Sequence, residues 1–344
     1  MNALLLTAPS KLEFTDFATP VPGADDVLIR IHACGICGSD IHGWDGSSGR
    51  RHPPLIMGHE AAGEIAQLGT NVTGWSIGQR VTFDSTIYCG KCPACKRGDV
   101  NLCDDRRVLG VSPDTYKQHG AFAEYVAVPA RILYALPDGL SYEEAAFAEP
   151  VSIALHGVKR ADIQPGDTAV VIGSGMIGLL VIQALRVAGV ERVIAVDREA
   201  SRLATALELG ATDTVTVEDD TTAAKIIALT NGRGADVVLE VVGIEPTVNL
   251  AIACTRPGAR IGLIGNLAPN INLPLQLVVT RELSLLGSCS CAGEYPQSLE
   301  LITSGQIKVK PLMAATVPLE DGAEWFAKLS APDGGKYLKV ILKP

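Results

Sequence analysis

Val170-Val171-Ile172-Gly173-Ser174-Gly175-Met176-Ile177-Gly178 is the stretch on which the fold turns. A β-branched run ends in a glycine-rich corner, and apolar residues at helical spacing follow over 177–188. Such corners are common alone. A strand before, a helix after and a second strand beyond give this one its meaning. The first glycine permits the tight turn, the second lets backbone approach a pyrophosphate, and the third lets the helix pack against the strand. The helix start offers unpaired N–H groups and the positive end of its dipole to phosphate. Gly173, Gly175, Met176, Ile177 and Gly178 are therefore the candidate dinucleotide contacts. The next β-branched run, 192–196, ends at Asp197, about 20 residues past the turn, where an acid accepts from the adenosine ribose hydroxyls. A carboxylate there repels a 2′-phosphate and favours NAD. Arg198 and Arg202 pull the other way, since a guanidinium holds such a phosphate.

Outward from the corner, strands at 168–172, 192–196, 236–242, 260–264 and 283–286 alternate with helices at 177–188, 200–209 and 222–229. The alternation predicts a doubly wound parallel sheet with right-handed crossovers. Residues 1–150 read differently, as an irregular β-rich domain with strands such as 27–31 and 80–83. The sequence thus predicts an α/β protein in three stretches: 1–150, 151–286 and a mixed segment, 287–344, that returns to the first domain.

A chain of 344 residues has room for two cores. Hydrophobic residues at 47% and charged ones at 19% exclude a disordered chain. A net charge of −9 without a Lys/Arg stripe argues against nucleic acid as a partner. No apolar run reaches the ~18 residues of a membrane span, so no membrane partner is expected. The start, Met1 to Leu6, lacks a basic leader and reads as a strand. The nine cysteines then belong in a reducing compartment, with the cytoplasm as the expected location.

Cys89, Cys92, Cys95 and Cys103 form C-x2-C-x2-C-x7-C within a lobe at 85–105. Four thiolates so close suit a closed tetrahedral zinc of structural role. An iron–sulfur cluster and a nucleic-acid zinc ribbon are the rivals, and the acidity of the chain opposes the second. A second constellation is dispersed: Cys37 in Gly35-Ile36-Cys37-Gly38-Ser39-Asp40-Ile41-His42, then Gly58-His59-Glu60, then Glu149-Pro150. Thiolate, imidazole and carboxylate together, with a position left open, suit a catalytic zinc.

These motifs, with Ala148-Glu149-Pro150-Val151-Ser152 and Gly335-Lys336-Tyr337-Leu338-Lys339, resemble the zinc-containing medium-chain alcohol dehydrogenase family, in its sorbitol and polyol dehydrogenase branch. The resemblance spans essentially the whole chain. It implies a GroES-like catalytic domain, a Rossmann domain, one catalytic and one structural zinc, and NAD. Cys37 and His59 would hold the catalytic zinc with one or both of Glu60 and Glu149; alcohol dehydrogenases proper carry cysteine at the position of Glu149. The implied reaction is reversible oxidation of a secondary hydroxyl of a polyol or sugar alcohol to the ketone. Ser39 and His42 would carry the proton out, Asp40 would support His59, and Trp44 would line the substrate pocket. The branch often carries an arginine near Gly287-Ser288-Cys289-Ser290-Cys291, and this sequence has none there. That keeps other substrates open: L-threonine, 2,3-butanediol, a sugar acid or a polyol phosphate. Arg50 and Arg51 at the pocket rim would suit an anionic one, and Asp114, Lys117 and His119 of a long loop would face substrate. The resemblance also implies a homotetramer or homodimer. His156 reads as structural, Cys34 and Cys254 as apolar filler, and Glu143 and Glu144 as a solvated helix start.

Overall fold

The computed structural model describes residues 1–218 and 221–344. The chain folds into two compact units. The first is Met1–Glu149 with Tyr295–Gly305 and Val309–Pro344; the second is Pro150–Glu294 with Gln306–Lys308.

In the first unit, strand Asp26–Gly35 is central. It pairs antiparallel with Glu60–Leu68, Tyr125–Pro129 and Lys339–Lys343. Glu60–Leu68 continues to Arg80–Phe83 and Leu133–Ala135, while Lys339–Lys343 pairs parallel with Met313–Pro318. The C-terminal strand is thus built into the sheet beside Asp26–Gly35, from early in the chain. A three-stranded sheet of Lys11–Asp16, Asn2–Ala8 and Leu55–Ile56 lies apart from it. Leu4, Ile29, Phe83, Phe122 and Phe326 are buried in its core. Their burial, at about 25 cal/mol per Å² of apolar surface, is what holds so irregular a β structure together.

The second unit is a six-stranded sheet, every pair parallel. Its order is Asp213–Thr216, Arg192–Asp197, Thr168–Ile172, Ala235–Glu240, Thr255–Leu263, Ser284–Gly287. The order reverses beside Thr168–Ile172, and ligands bind at such a switch point, outside the carboxyl ends of the strands. Helix Met176–Val187 leaves that point with its inner face fully buried.

Strand limits differ from the sequence pattern in two places. The strand expected at 236–242 ends at Glu240, because the Glu240 carboxylate accepts the N–H groups of Val242 and Gly243, each at 2.9 Å, and turns the chain. The strand expected at 260–264 begins at Thr255; Arg256-Pro257-Gly258 hides its start, and the register shifts there.

Candidate active site

Strand register assembles the first cluster. Gly35 ends its strand directly opposite Glu60, which begins the next one. Cys37, just past the first strand, and His59, just before the second, are therefore neighbours. One ligand atom each of Cys37, His59 and Glu60 lies within 4.8 Å of the others. Helix Gly38–Trp44 is capped by Cys37 itself, whose Sγ accepts the Ser39 N–H at 3.5 Å, while Asp40 Oδ2 accepts the Cys37 N–H at 3.1 Å. The cap fixes the thiol. The other oxygen of Asp40, Oδ1, lies 3.4 Å from His59 Nδ1 and 3.5 Å from Arg51 Nη2. With Nδ1 turned to Asp40, Nε2 is the ring nitrogen left for a metal. Burial works against charge on Asp40, yet His59 and Arg51 hold its carboxyl below the usual range. Burial likewise opposes a charged His59, but Asp40 outweighs it and pushes the imidazole well above its ordinary value. The cluster thus favours positive charge at the ring.

The two carboxylates are held differently. Glu60 Oε2 pairs at 2.5 Å with Lys339 Nζ, which also donates to the Ile36 carbonyl at 3.1 Å. Both side chains are buried. The pair lies directly over Gly35, where a Cβ would overlap Glu60 Oε2. Burial would lower Lys339, and the Glu60 charge more than offsets that. Glu149, in the first turn of helix Ala148–Arg160, accepts from Ser85 Oγ at 3.1 Å. Burial pushes its carboxyl up to about 7, with Glu60 adding to the shift and His59 opposing it. The group within 4.8 Å stops at Cys37, His59 and Glu60 among the described residues; Glu149 stands beside it, within electrostatic reach. Thiolate, imidazole and two carboxylates fit zinc.

Ser39 Oγ donates to Cys37 Sγ at 3.4 Å and accepts from Arg51 Nη2 at 3.0 Å. His42 is half-exposed, with Nδ1 3.3 Å from Ser47 Oγ. Trp44 packs on Phe326, ring centroids 6.1 Å apart. Two expectations need correction, for Arg51 and for Glu143 with Glu144. Arg51 is not a rim residue but 8% exposed, because Ser39 and Asp40 take its guanidinium. His119 has one nitrogen committed: its Nδ1 accepts the Ile56 N–H at 3.2 Å, which ties its loop to a strand. Glu143 and Glu144 are not simply solvated: Glu144 forms a capping box with Ser141, and Glu143 pairs with Lys343 at 2.7 Å.

The second cluster is local. Ligand sulfurs of Cys89, Cys92, Cys95 and Cys103 lie within 4.8 Å of one another. Backbone N–H groups point at them: Cys89 N to Cys103 Sγ at 3.2 Å, Cys92 N to Cys89 Sγ at 3.3 Å, Cys95 N to Cys92 Sγ at 3.5 Å. Such donors favour thiolate, and those of Cys95 and Asp104 lower Cys92 to about 6. Four sulfurs fill a tetrahedron, so this site offers no place to a substrate.

In the second unit the glycine corner has the close packing that would fit a dinucleotide. Gly178 packs so closely that a Cβ would overlap the Gly173 carbonyl. Gly175 caps helix Met176–Val187 without a side-chain bond, which leaves the first N–H groups for phosphate. Asp197 accepts the N–H groups of Ser174 at 2.6 Å and Glu199 at 2.9 Å, which fixes it at the end of its strand. Arg202 Nη1 is 3.7 Å from its Oδ2, and Arg198 is exposed. His156 pairs with Glu294 at 3.0 Å inside this unit.

Sequence reasoning quoted Lys339 and Gly35 only as motif members and missed their roles, and it missed Ser85. A lysine opening the apolar run Lys339-Val340-Ile341-Leu342 was the one available signal. The partners of Ser85 and Gly35 come from far along the chain.

An open mixed-ligand metal cluster in one unit and a dinucleotide corner in the other define a metal-dependent, nicotinamide-linked dehydrogenase. The alcohol dehydrogenase GroES-like domain matches residues 23–138, and the zinc-binding dehydrogenase domain matches residues 177–304. Sorbitol dehydrogenase of Bacillus subtilis is 34% identical over 348 residues, covering 100% of this chain and 97% of its own. L-idonate 5-dehydrogenase of Vitis vinifera is 35% identical, covering 96% and 91%. The solved alcohol dehydrogenase TADH of Thermus sp. ATN1 superposes with a TM-score of 0.93 at 31% identity, covering 100% and 99%. The chain belongs to the zinc-containing medium-chain dehydrogenases, in their polyol branch, and is an oxidoreductase acting on CH–OH groups with zinc and a nicotinamide dinucleotide. Among the described residues, no helix is long and apolar enough to cross a membrane.

Proposed function

We propose that this enzyme oxidises a secondary hydroxyl of a polyol or sugar alcohol to the ketone, reversibly, with NAD as partner. The observation that carries the reading is the grouping of Cys37, His59 and Glu60 within 4.8 Å, with Glu149 alongside. Zinc, when bound, lowers the pKa of a hydroxyl, and the dinucleotide, when bound, takes the hydride. The protein's own residues do the rest. Cys37 and His59 hold the metal with one or both of Glu60 and Glu149, and Cys89, Cys92, Cys95 and Cys103 hold a structural one. Asp40 keeps His59 oriented through Nδ1. Ser39 takes the substrate proton, and half-exposed His42 passes it to solvent. Trp44 bounds the substrate. Gly173, Gly175, Met176, Ile177 and Gly178 receive the pyrophosphate. Asp197, with Arg198 and Arg202 near, receives the adenosine ribose, and its fixed carboxylate supports NAD over NADP.

The likeness to L-idonate 5-dehydrogenase supports a sugar acid as the second reading. A panel of sorbitol, xylitol, L-idonate, 2,3-butanediol and L-threonine, run with NAD and with NADP, decides between them. The polyol reading expects the highest kcat/KM for a polyol with NAD; turnover confined to idonate, threonine or the diol overturns it.

Association into a homodimer or homotetramer is part of this reading. Strand Ser284–Gly287 ends the sheet, and Leu267, Leu275, Leu277 and Val279 leading to it are exposed, an apolar patch that a second copy would cover. Light scattering at the monomer mass would refute it. A cytoplasmic setting completes the reading, because the four-cysteine lobe keeps its thiolates for metal only where thiols stay reduced.

A further inference from the structure

We propose that Arg51 is a positioning residue for the dehydrogenation and acts through Ser39. The inference rests on the reading of Ser39 as the hydroxyl that takes the substrate proton.

A guanidinium that is only 8% exposed is costly unless it is paired. Arg51 has two partners, both on one helix beside the ligand cluster: Ser39 Oγ at 3.0 Å and Asp40 Oδ1 at 3.5 Å. Its Nε is buried without an acceptor, so the side chain is held there at some expense. The fold makes room for it. A Cβ on Gly43 would overlap Arg51 Cδ, so the missing side chain of helix Gly38–Trp44 is the slot that the arginine fills. The backbone is anchored from outside: Arg51 bridges to Ser112, whose N–H donates to the Arg50 carbonyl at 3.0 Å and whose carbonyl accepts the His52 N–H at 3.2 Å. A charged residue has been threaded inward and locked at both ends.

What the contact does follows from the inventory of a hydroxyl. Serine has one O–H and two lone pairs. Arg51 can only donate, so its N–H takes one lone pair permanently. One lone pair then remains to accept the substrate O–H, and one hydrogen remains to be passed on. In the resting site that hydrogen is donated to Cys37 Sγ at 3.4 Å; as the substrate proton arrives at Oγ it turns from Cys37 and leaves toward solvent by way of His42, and Ser39 ends as it began. The fixed cation stabilises the oxygen while both protons are in motion. Arg51 does not face an anionic substrate: its side chain is buried and its Nη2 is engaged by Ser39 and Asp40.

The test is a double-variant cycle with zinc content and melting temperature recorded throughout, on the panel member of highest kcat/KM. Arg51→Met should lower kcat by about 10–100-fold, the range for loss of a supporting contact, with KM and zinc content close to the parent; the melting temperature should drop, because Asp40 loses one of its two buried partners, so kcat is read well below it. In a Ser39→Ala background the same change should cost less than about twofold, since the two act as one unit. Gly43→Ala keeps the charge but blocks the slot, and should reproduce the loss; Arg51→Lys should recover part of it. If the Arg51→Met and Ser39→Ala losses multiply, or if Gly43→Ala retains full kcat, Arg51 does not act through Ser39. If Ser39→Ala alone leaves kcat unchanged, the relay reading itself fails, and this inference with it.

Discussion

The two cysteine-bearing clusters are opposites in construction. The four-cysteine lobe comes from one short run of chain, and its second layer is backbone: N–H groups of Cys89, Cys92 and Cys95 point at sulfur. The Cys37–His59–Glu60 cluster draws on segments far apart in sequence, and its second layer is made of buried charges: Asp40 on His59, Lys339 on Glu60, Arg51 on Asp40. A closed site needs only to be held, and backbone suffices. An open site must keep its ligands oriented while one position changes occupant, and that takes oriented charge. Structural metal sites are therefore compact in sequence, while catalytic ones depend on register.

Breaking each cluster in turn should give the largest contrast. Cys37→Ser or His59→Ala removes a polarising ion worth several kcal/mol, so kcat/KM should fall by roughly 10³-fold or more. Zinc analysis should then find the lobe still loaded. Cys92→Ser should do the reverse, losing the lobe's zinc and lowering the melting temperature, while molecules that stay folded keep most of their turnover. Equal activity losses from both changes would erase the distinction. Next in size, Lys339→Met strands Glu60 as a buried charge, a loss of about 3–5 kcal/mol readable by urea unfolding. The exposed lobe pair Arg97–Asp99, cut by Arg97→Ala, should cost under about 1 kcal/mol.

A smaller effect concerns pH. Burial places the Glu149 carboxyl at about 7 in the metal-free protein, raised from 4.5. A raised carboxyl holds its proton below that pH, and an arriving cation must displace it. Zinc affinity at the catalytic cluster should therefore fall as pH drops through 7, with Glu149 contributing up to about tenfold per pH unit on top of the protons displaced from Cys37 and His59. Glu149→Gln should flatten that dependence in a competition titration with a chelator; an unchanged slope would separate Glu149 from the metal. Smallest is Ser85→Ala, which removes one hydrogen bond to Glu149, worth about 1 kcal/mol. It should lower kcat/KM by less than about tenfold, and a larger loss would show that Ser85 does more than hold Glu149.

The same contrast explains what could be read from the sequence. The glycine corner, the acid at Asp197 and the four cysteines are local patterns, and each appears in the structure where spacing placed it. Cys37, His59, Glu60 and Glu149 were named from motifs, but nothing local shows which partners orient them. The pairing of Gly35 with Glu60 on one side and with Ile341 on the other is what brings Lys339 into the cluster. That pairing is a property of the whole sheet. Arg51 misled for the same reason: two adjacent arginines in a polar loop look solvated, and only the absent side chain of Gly43 shows where one of them goes.

Anomalous scattering at the zinc edge, from crystals grown without added metal, tests the account most directly. Two peaks per chain are predicted, one centred among Cys89, Cys92, Cys95 and Cys103, the other touching Cys37 Sγ and His59 Nε2 with one position left for a small molecule. A single peak in the lobe, or a second ion with no position left for a small molecule, would contradict it.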